Sequence, residues 1–559
     1  MRTQRPSRRK SFALVITLVG TLLLSACGSL PSSGSVHVSE GDLPPEGRSM
    51  QTAPLPRKGS SQLDIMRGFM AACSAGATNN DFEAARQYLL STARRGWEPE
   101  RSIRIYGNDQ VPEIGFSETQ EKAQLTIAAT GQVDASGQFQ VGSPGGKLVG
   151  TFSFAQDEEG EWRISELPAG ITISQGTFDA SYQRLPIYYL SPDKTILVPD
   201  LRWVPKSKTV TYLTQHLLDG PSADLGSSVA TALPAGTSLP SRTVAVENGQ
   251  ALVNLQVPDA TPPDEAQSLL QWQISATLSQ LPSVTSVKVT LNDNLVTVSP
   301  PAGPAYSGTE VLVVSDNNLR TLSGDTVLLS ADKAGDLEIS SPARGPIKGS
   351  PVAFVNAERE LWTISENQSP RQLLSAEYVG APSIDYANWI WVPTKQSGAV
   401  TAVRASGESV RVPVSYTTDQ LLSFVVSPAG VHAIATRGGD TRAADLVRIN
   451  RDDRGVPVSV DLIASVPLPH DSLILPAWTS ATAAAILLRS EASGEASILS
   501  WPLGGLRSQE PAYPKSRAFV AAIGARRLYV VTDDNVLFQL DGRHWIPVGR
   551  NVSAVATSG

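Results

Sequence analysis

The chain has 559 residues, of which 41% are hydrophobic and 18% are charged, a composition that excludes a chain disordered throughout. A chain of this length is too long to fold around a single hydrophobic core, so we expect three or four domains. The formal charge is −7; residues 1–26 contain five Arg and Lys and no Asp or Glu, so without them the charge is −12, which argues against binding nucleic acid or anionic lipid by charge.

The N-terminus has the pattern of an export signal. Five basic residues at positions 2–10 precede an apolar run at 12–24, which is shorter than the roughly 20 residues of a membrane-spanning helix. The run ends in Leu24, Ser25, Ala26 and Cys27, which resembles the lipobox of bacterial lipoproteins.

The lipobox resemblance implies the fate of the leader. Residues 1–26 would be a lipoprotein signal peptide recognised through Leu24, Ser25 and Ala26, and cleavage would leave Cys27 as the first residue. Its thiol would carry a diacylglyceryl group that holds the protein on the extracytoplasmic face of the cell membrane. Two acyl chains anchor a protein stably where one does not. The alternatives are an ordinary signal peptide and an uncleaved anchor.

Residues 27–60 are predicted to form a flexible tether. The segment is rich in Ser, Gly and Pro and has no hydrophobic periodicity. About 30 flexible residues have a mean reach of roughly 30 Å. The tether therefore holds the folded part clear of the lipid head groups.

Residues 61–175 are predicted to form an α+β domain. Helical spacing of apolar residues predicts a helix near 63–70, and a second helix is expected over 82–89, capped by Asn80 or Asp81. Alternating residues predict strands near 103–106, 123–127, 148–154 and 162–164. Two helices followed by an antiparallel sheet resemble, in order alone, the cone-shaped fold of nuclear-transport-factor-2-like (NTF2-like) domains. Fold alone assigns no ligand.

Residues 180–299 are predicted to form an α/β domain. Ser207 is expected to cap one helix, which ends before Gly220, and Thr261 a second helix that begins at Pro262. Asn248 and Gly249 lie between alternating apolar residues and predict a hairpin. The segments at 217–221, 233–237 and 247–251 resemble the GerMN domain of sporulation, germination and envelope proteins. That resemblance implies an interaction module.

Residues 305–559 are predicted to form an all-β propeller of about six blades. Related pairs of strands recur every 40–50 residues, near 313, 352, 389, 431, 483 and 530, which is the period of propeller blades. Residues 427–433 resemble the strand turn of TolB-type propeller repeats. The first repeat lacks its first strand, and the chain ends in an unpaired strand at 551–556. We expect this last strand to complete the first blade and close the ring. The alternative is a pair of β-sandwiches.

The sequence offers no candidate catalytic or cofactor-binding residues. The five histidines are scattered and form no His or Cys pair at zinc-binding spacing, so no metal site is predicted. Cys73 is left without a disulfide partner and is expected to be a buried small hydrophobic residue. Trp389 and Trp391 face the same side of one strand. They are interpreted as buried between blades, or else as a ligand-binding aromatic cluster at the propeller mouth.

The order of lipobox, tether, GerMN-like unit and propeller resembles the actinobacterial lipoprotein LpqB family. The resemblance implies binding to the extracellular domain of a sensor histidine kinase, MtrB of the MtrA/MtrB two-component system. The protein would modulate its signalling in envelope homeostasis and division. Nothing in composition or spacing identifies this partner. Two alternatives stay open: a scaffold that binds cell-wall glycan, and an enzyme with acidic or histidine residues converging on the propeller channel.

Overall fold

The computed structural model describes residues 53–142, 145–258, 261–307, 309–365, 369–375, 379–439, 442–523 and 527–557. Leu24, Ser25, Ala26 and Cys27, and the tether up to residue 52, lie outside these ranges. From Ala53 onward the chain forms one compact unit. Among the described helices, none has the length and apolar character needed to cross a membrane.

The N-terminal part is an α+β domain in which one long helix packs on a sheet. The helix begins at a capping box, where Ser61 Oγ accepts from the Asp64 N–H at 3.2 Å and the Asp64 carboxylate accepts from the Ser61 N–H at 3.3 Å. Its buried face includes Phe69 and Cys73. The strand order is β6-β5-β3-β1-β7, with β2 and β4 also paired to the long β3. The elements are α1 Gln62–Asn79, α2 Glu83–Arg86, α3 Ser91–Gly96, β1 Ser102–Tyr106, β2 Glu113–Phe116, β3 Lys122–Asp134, β4 Phe139–Val141, β5 Lys147–Gln156, β6 Trp162–Glu166, β7 Ile171–Ser174 and α4 Gln175–Ser181.

The second predicted helix is much shorter than expected. Asn80 does not begin it but ends α1 in a left-handed conformation (φ 54°), and α2 ends at Arg86. Beyond it the backbone pairs with the sheet: the Ile164 N–H donates to Tyr88 O at 2.9 Å and the Leu90 N–H donates to Ile164 O at 2.8 Å. The backbone from Tyr88 to Leu90 therefore pairs with the edge of the sheet. The helix that the apolar pattern predicted over these residues does not form.

Among its described residues, the second domain combines a two-stranded ribbon, a four-stranded sheet and two α-helices. The sheet order is β10-β11-β12-β13, with β11 and β12 parallel and connected through α6. Asn248 and Gly249 have φ of 51° and 78°, which confirms the predicted hairpin turn. The elements are β8 Tyr182–Leu190, β9 Leu197–Pro205, α5 Thr209–Asp219, β10 Ala245–Glu247, β11 Gln250–Leu255, α6 Asp264–Leu278, β12 Ser286–Leu291 and β13 Asn294–Leu295.

Both helix-capping residues predicted for this domain are wrong, because neither Ser207 nor Thr261 occupies the position that precedes its helix. Lys208, in a left-handed conformation (φ 58°), precedes α5, and the Ser207 hydroxyl has no hydrogen-bond partner among the described residues. Helix α6 begins at Asp264, after Pro263. The residue before a proline disfavours the helical conformation, and Pro263 itself is extended (φ −64°, ψ 160°). The helix therefore begins after Pro263, and Thr261 lies too far upstream to cap it. The end of α5 before Gly220 is as predicted.

In its described residues, the C-terminal part is a β-propeller of six four-stranded sheets. The predicted strand pairs are the two middle strands of each sheet. The blades are β16-β15-β14-β37 and then, in chain order, β17–β20, β21–β24, β25–β28, β29–β32 and β33–β36. The strands are β14 Val311–Ser315, β15 Asn318–Thr321, β16 Val327–Leu329, β17 Ser340–Arg344, β18 Val352–Val355, β19 Glu360–Ile364, β20 Arg371–Ser375, β21 Ser383–Ile384, β22 Trp389–Val392, β23 Ala399–Arg404, β24 Ser409–Pro413, β25 Leu421–Val426, β26 His432–Arg437, β27 Ala443–Arg451, β28 Pro457–Pro467, β29 Ser472–Ser480, β30 Ala483–Ser490, β31 Ala496–Pro502, β32 Ser508–Pro511, β33 Ser516–Ala522, β34 Arg527–Thr532, β35 Leu537–Asp541, β36 His544–Gly549 and β37 Ala554–Thr557, with the short helix α7 Ala331–Ala334 between β16 and β17.

The ring closes as the sequence predicts. Strand β37 pairs antiparallel with β14, from Val311 opposite Thr557 to Val314 opposite Ala554. The inner strands contact one another in the cyclic order β37, β17, β21, β25, β29, β33 and back to β37. A hydrophobic cluster lies between each pair of neighbouring blades. The last strand of the chain therefore belongs to the first blade.

Trp389 and Trp391 are fully buried. Both belong to the cluster between the third and fourth blades, where Trp391 stacks on Phe424 with ring centroids 5.3 Å apart. The interpretation that they are interblade core is confirmed, and the interpretation that they form an exposed aromatic cluster is wrong.

Candidate functional site: a cleft where three domains meet

The histidines, which are among the residues that most often act in catalysis or bind metals, lie in different parts of this fold. His216 and His432 are buried in different domains, and His470 and His544 are exposed on separate blades. Among the described residues, no three His, Cys, Asp or Glu side chains lie close enough together to hold a metal ion. Cys73 is buried, as predicted, and its burial raises the pKa of the thiol.

The central channel of the propeller encloses a cavity of about 340 Å³. The inner strands line it with small and apolar residues such as Ala343, Val425, Ala477 and Val555. Its described lining includes no His, Asp or Glu. The converging acidic or histidine residues that a channel enzyme requires are therefore not found there. In the N-terminal domain, the cavity beside Phe69 and Cys73 measures about 10 Å³, so side chains fill it.

A larger cavity, of about 420 Å³, lies where the three domains meet. The N-terminal domain contributes β4, and the second domain contributes β9 and the loop 222–225 after α5. The propeller contributes β28, the end of β31 and the following loop up to Arg507. Its volume falls in the range of ~300–1,000 Å³ typical of ligand sites. We call this cavity the junction cleft.

Trp203 on β9 joins all three domains at the edge of the junction cleft. Its backbone N–H donates to Gly137 O of the N-terminal domain at 2.8 Å. Its indole ring packs against Phe178 with centroids 4.6 Å apart, and its Nε1 donates to Gly504 O of the propeller at 3.0 Å. The backbone and the side chain of Trp203 together connect the three domains that form the walls of the cleft.

A buried ion pair orders the floor of the cleft. Arg202 Nη2 lies 2.8 Å from Asp200 Oδ2, and both side chains are buried. The same carboxylate oxygen accepts from the Ser222 N–H at 2.8 Å, and Arg202 donates to Gly220 O at 3.0 Å. Burial raises the pKa of Asp200 while the neighbouring guanidinium opposes that rise. The pair fixes the loop after α5 against β9.

A second contact fixes the propeller to the second domain. Tyr386, Ala429 and Val431 of the propeller are part of the hydrophobic core of the second domain, and the Tyr386 hydroxyl donates to Asp193 Oδ1 at 3.3 Å. Behind Tyr386, the guanidinium of Arg451 lies 5.4 Å from the ring centroid and pairs with Asp385. Blades and second domain therefore share one continuous core.

His432 lines the junction cleft on strand β26. It is buried, and its Nε2 has no hydrogen-bond partner among the described residues. Burial, with a smaller contribution from the Arg448 guanidinium, lowers the pKa of His432 from 6.5 to about 4. The imidazole is therefore neutral at physiological pH.

The lowered pKa of His432 predicts a loss of stability in acid. Between pH 6.5 and pH 4 the unfolded chain binds a proton at this residue that the folded chain rejects, so the free energy of unfolding falls as the pH falls through that window. A shift from 6.5 to about 4 corresponds to about 3 kcal/mol. Urea unfolding of residues 27–559 carrying Cys27→Ser, at several pH values with and without His432→Gln, measures it. Identical pH profiles for the two proteins would contradict the assignment.

None of the residues that build the junction cleft was predicted from sequence. The site comes from three domains, and each residue taken alone has an ordinary local context. Trp203 is one of ten tryptophans in the sequence, and nothing in the residues around it marks it as a contact between domains. The lipidation residues predicted from sequence, Leu24 to Cys27, lie outside the described residues.

Comparison with family models matches the chain in three consecutive parts. The model described as the N-terminal domain of lipoprotein LpqB matches residues 55–179. A model described as sporulation and spore germination matches 186–297, in agreement with the expected GerMN-like unit. The model described as the lipoprotein LpqB beta-propeller domain matches 313–556.

Three similar proteins from different actinobacteria are each called lipoprotein LpqB. A protein called lipoprotein LpqB from Cutibacterium acnes is 26% identical over 605 aligned residues, which cover 100% of both chains. One from Mycolicibacterium smegmatis is 26% identical, covering 73% of this chain and 74% of its own length. One from Nocardia farcinica is 32% identical, covering 42% of this chain and 39% of its own.

Solved structures are similar only distantly. TolB from Acinetobacter baumannii has 14% identity and a TM-score of 0.33, covering 46% of this chain and 68% of its own. Virginiamycin B lyase from Staphylococcus aureus has 11% identity and a TM-score of 0.29, covering 44% and 84%. These scores carry no argument; the strand pairing described above establishes the propeller.

Proposed function

Since the chain belongs to the LpqB family of lipoproteins, we propose that it binds the extracellular domain of an MtrB-like sensor histidine kinase and modulates two-component signalling. The match of two LpqB models and a full-length relative is the observation that carries this proposal. The protein acts by contact with its neighbours in the cell envelope, in homeostasis and division, and not by catalysis.

The anchor is part of the proposal. Residues 24–27 have the lipobox pattern, so Cys27 carries the diacylglyceryl group that holds the protein on the extracytoplasmic face of the membrane. Confinement beside the sensor raises its effective concentration, and contacts that are weak in solution become occupied. Two acyl chains are sufficient for this attachment.

Modulation requires a difference in affinity. A bound protein shifts a sensor between two states only by as much as its binding free energies to those states differ. The domain junction favours such a role, because Trp203 and Tyr386 connect the domains through hydrogen bonds and packed rings. A rigid binder keeps its preference for one sensor shape, since it does not adapt to the other.

The test is co-purification from detergent-solubilised membranes. Tagged full-length protein is expected to recover the sensor kinase, and Cys27→Ser is expected to leave the membrane fraction and lose the kinase together with it. Immunoblotting for the kinase and muropeptide analysis of the eluate provide the two readouts.

Three outcomes would count against the proposal. Recovery of wall fragments without kinase favours the cell-wall glycan scaffold instead. Absence of both leaves the sensor-binding role unsupported. Retention of Cys27→Ser in the membrane fraction would show that the anchoring is wrong even if the kinase were recovered.

A further inference from the structure

Two strands present unpaired edges to the junction cleft. Among the described strands, β4 pairs only with β3, and β9 pairs only with β8. Residues of both strands line the cavity, Phe139 and Val141 on one side and Leu201 on the other. Unpaired strand edges offer rows of N–H and C=O groups to any extended chain.

The hydrogen-bond alternation fixes which backbone groups face the cleft. The Gly142 N–H donates to Thr130 O at 3.0 Å and the Asp134 N–H to Gln138 O at 3.0 Å, so the even-numbered residues of β4 bond to β3. In an antiparallel pair the intervening residues direct their N–H and C=O outward. Phe139 and Val141 therefore present both groups to the open edge.

The same argument applies to β9. The Trp203 N–H points away from β8, since it donates to Gly137 O. Leu201 lies two residues earlier and presents its N–H and C=O on the same outer edge. Within the described chain, the N–H groups of Phe139, Val141 and Leu201 have no backbone partner. The two edges meet at the Trp203–Gly137 hydrogen bond, and both line the cavity beyond it.

The side chains that line the junction cleft include polar, charged and apolar groups, and they suit a ligand that has both polar and apolar parts. Gln138, Gln140, Asp224 and Arg507 line it from three domains, and their side chains make no hydrogen bond or ion pair with a described residue; the Arg507 guanidinium only lies over Trp501, 5.4 Å from the ring centroid. An apolar wall completes the lining with Leu446, Ile463 and Leu503. Amides, one carboxylate and one guanidinium suit a ligand with both donors and acceptors and with charges of both signs.

From these observations we propose that the junction cleft binds a short extended peptide segment of a partner protein. The segment forms backbone hydrogen bonds with the outer edges of β4 and β9. A strand added to a free edge gains affinity from its main chain and specificity from alternate side chains. A basic residue of the segment faces Asp224 and an acidic one faces Arg507. The inference goes beyond the proposed function and does not require the partner to be a sensor kinase.

Selection from a displayed random octapeptide library tests the proposal. The immobilised protein is residues 27–559 with Cys27→Ser. Val141→Pro removes one outward N–H at an edge position where proline is tolerated, and Arg507→Glu reverses one charge. Arg550→Glu makes the same charge change at an exposed residue that does not line the cleft and is the matched control.

We expect enriched peptides with alternating apolar residues that bind Val141→Pro and Arg507→Glu about tenfold more weakly and Arg550→Glu unchanged. Hydrogen exchange of the complex is expected to show new protection in β4 and β9. No enrichment on the parent protein over the two cleft variants, or protection confined to other segments, would overturn the proposal. Equal protection of β4 and β9 by N-acetylglucosamine oligomers, with no peptide enriched, would identify a glycan site instead. If Val141→Pro fails to fold, the Arg507→Glu comparison still decides.

Discussion

Replacing Asp385 with Ala is expected to lower the free energy of unfolding by about 3–5 kcal/mol, the cost of leaving a buried charge unpaired. Asp385 and Arg451 have 0% exposed side chains and form an ion pair between the third and fourth blades. Without the carboxylate, the Arg451 guanidinium stays buried with only the carbonyls of Gly430 and Gly455 to accept its hydrogen bonds.

The aspartate also organises the strand that follows it. Its Oδ1 accepts from the N–H groups of Ala387 at 2.9 Å and Trp389 at 3.0 Å, and its Oδ2 accepts from Trp391 Nε1 at 2.8 Å. Substitution leaves these donors without their acceptor in an interior where water does not replace it. These lost hydrogen bonds place the expected change in the free energy of unfolding at the upper end of the range of about 3–5 kcal/mol.

Urea unfolding of residues 27–559 with Cys27→Ser measures the change. The matched control is Glu408→Ala, which breaks an ion pair with Arg404 whose side chains are 32% and 47% exposed. Solvent screens such a pair, so we expect a change below about 1 kcal/mol. Equal effects of the two substitutions would show that the Asp385–Arg451 pair does not hold the blades together.

Removing the last strand is expected to cost more than any single substitution. Ending the chain at Ser553 deletes β37 and its ladder with β14. It also removes Ala554, Val555 and Ala556, which are buried between the first blade and its two neighbours. Lost burial and backbone hydrogen bonds together amount to about 5 kcal/mol or more, comparable with the whole stability of many domains.

Near-ultraviolet circular dichroism and urea unfolding give the readout for this truncation. We expect the propeller to lose its cooperative transition, because the inner edge of β14 is left open on one side of a broken ring. A chain ending at Thr557 retains β37 and serves as the control, with native behaviour expected. A cooperative transition retained in the chain that ends at Ser553 would show that ring closure contributes little.

The propeller could be predicted because its signals repeat. Each blade has a pair of middle strands that recurs at a regular spacing in the sequence. The first blade lacked its first strand, so the strand predicted at 551–556 could be assigned to it. The Asn248–Gly249 turn was equally clear, since both residues must adopt positive φ. Local patterns of this kind survive tertiary contacts.

The predictions were wrong where a contact with a residue distant in sequence, or an adjacent proline, prevented the structure that the local pattern favours. The backbones of Tyr88 and Leu90 form hydrogen bonds with Ile164 in the sheet, so α2 ends earlier than predicted. Pro263 moves the start of α6 beyond the position that Thr261 would cap. The junction cleft was beyond sequence reasoning, because Gln138, Asp224 and Arg507 meet only after three domains have packed.

Pairing of the first propeller strand with the last has a consequence for biosynthesis. Ser553 donates to Val314 O across 239 positions of sequence. Ribosomes add about 5–20 residues per second, so β14 waits roughly 10–50 s for its partner to be made. During that interval the nascent first blade has an unpaired strand edge, and this edge is open to chaperones that bind exposed strands.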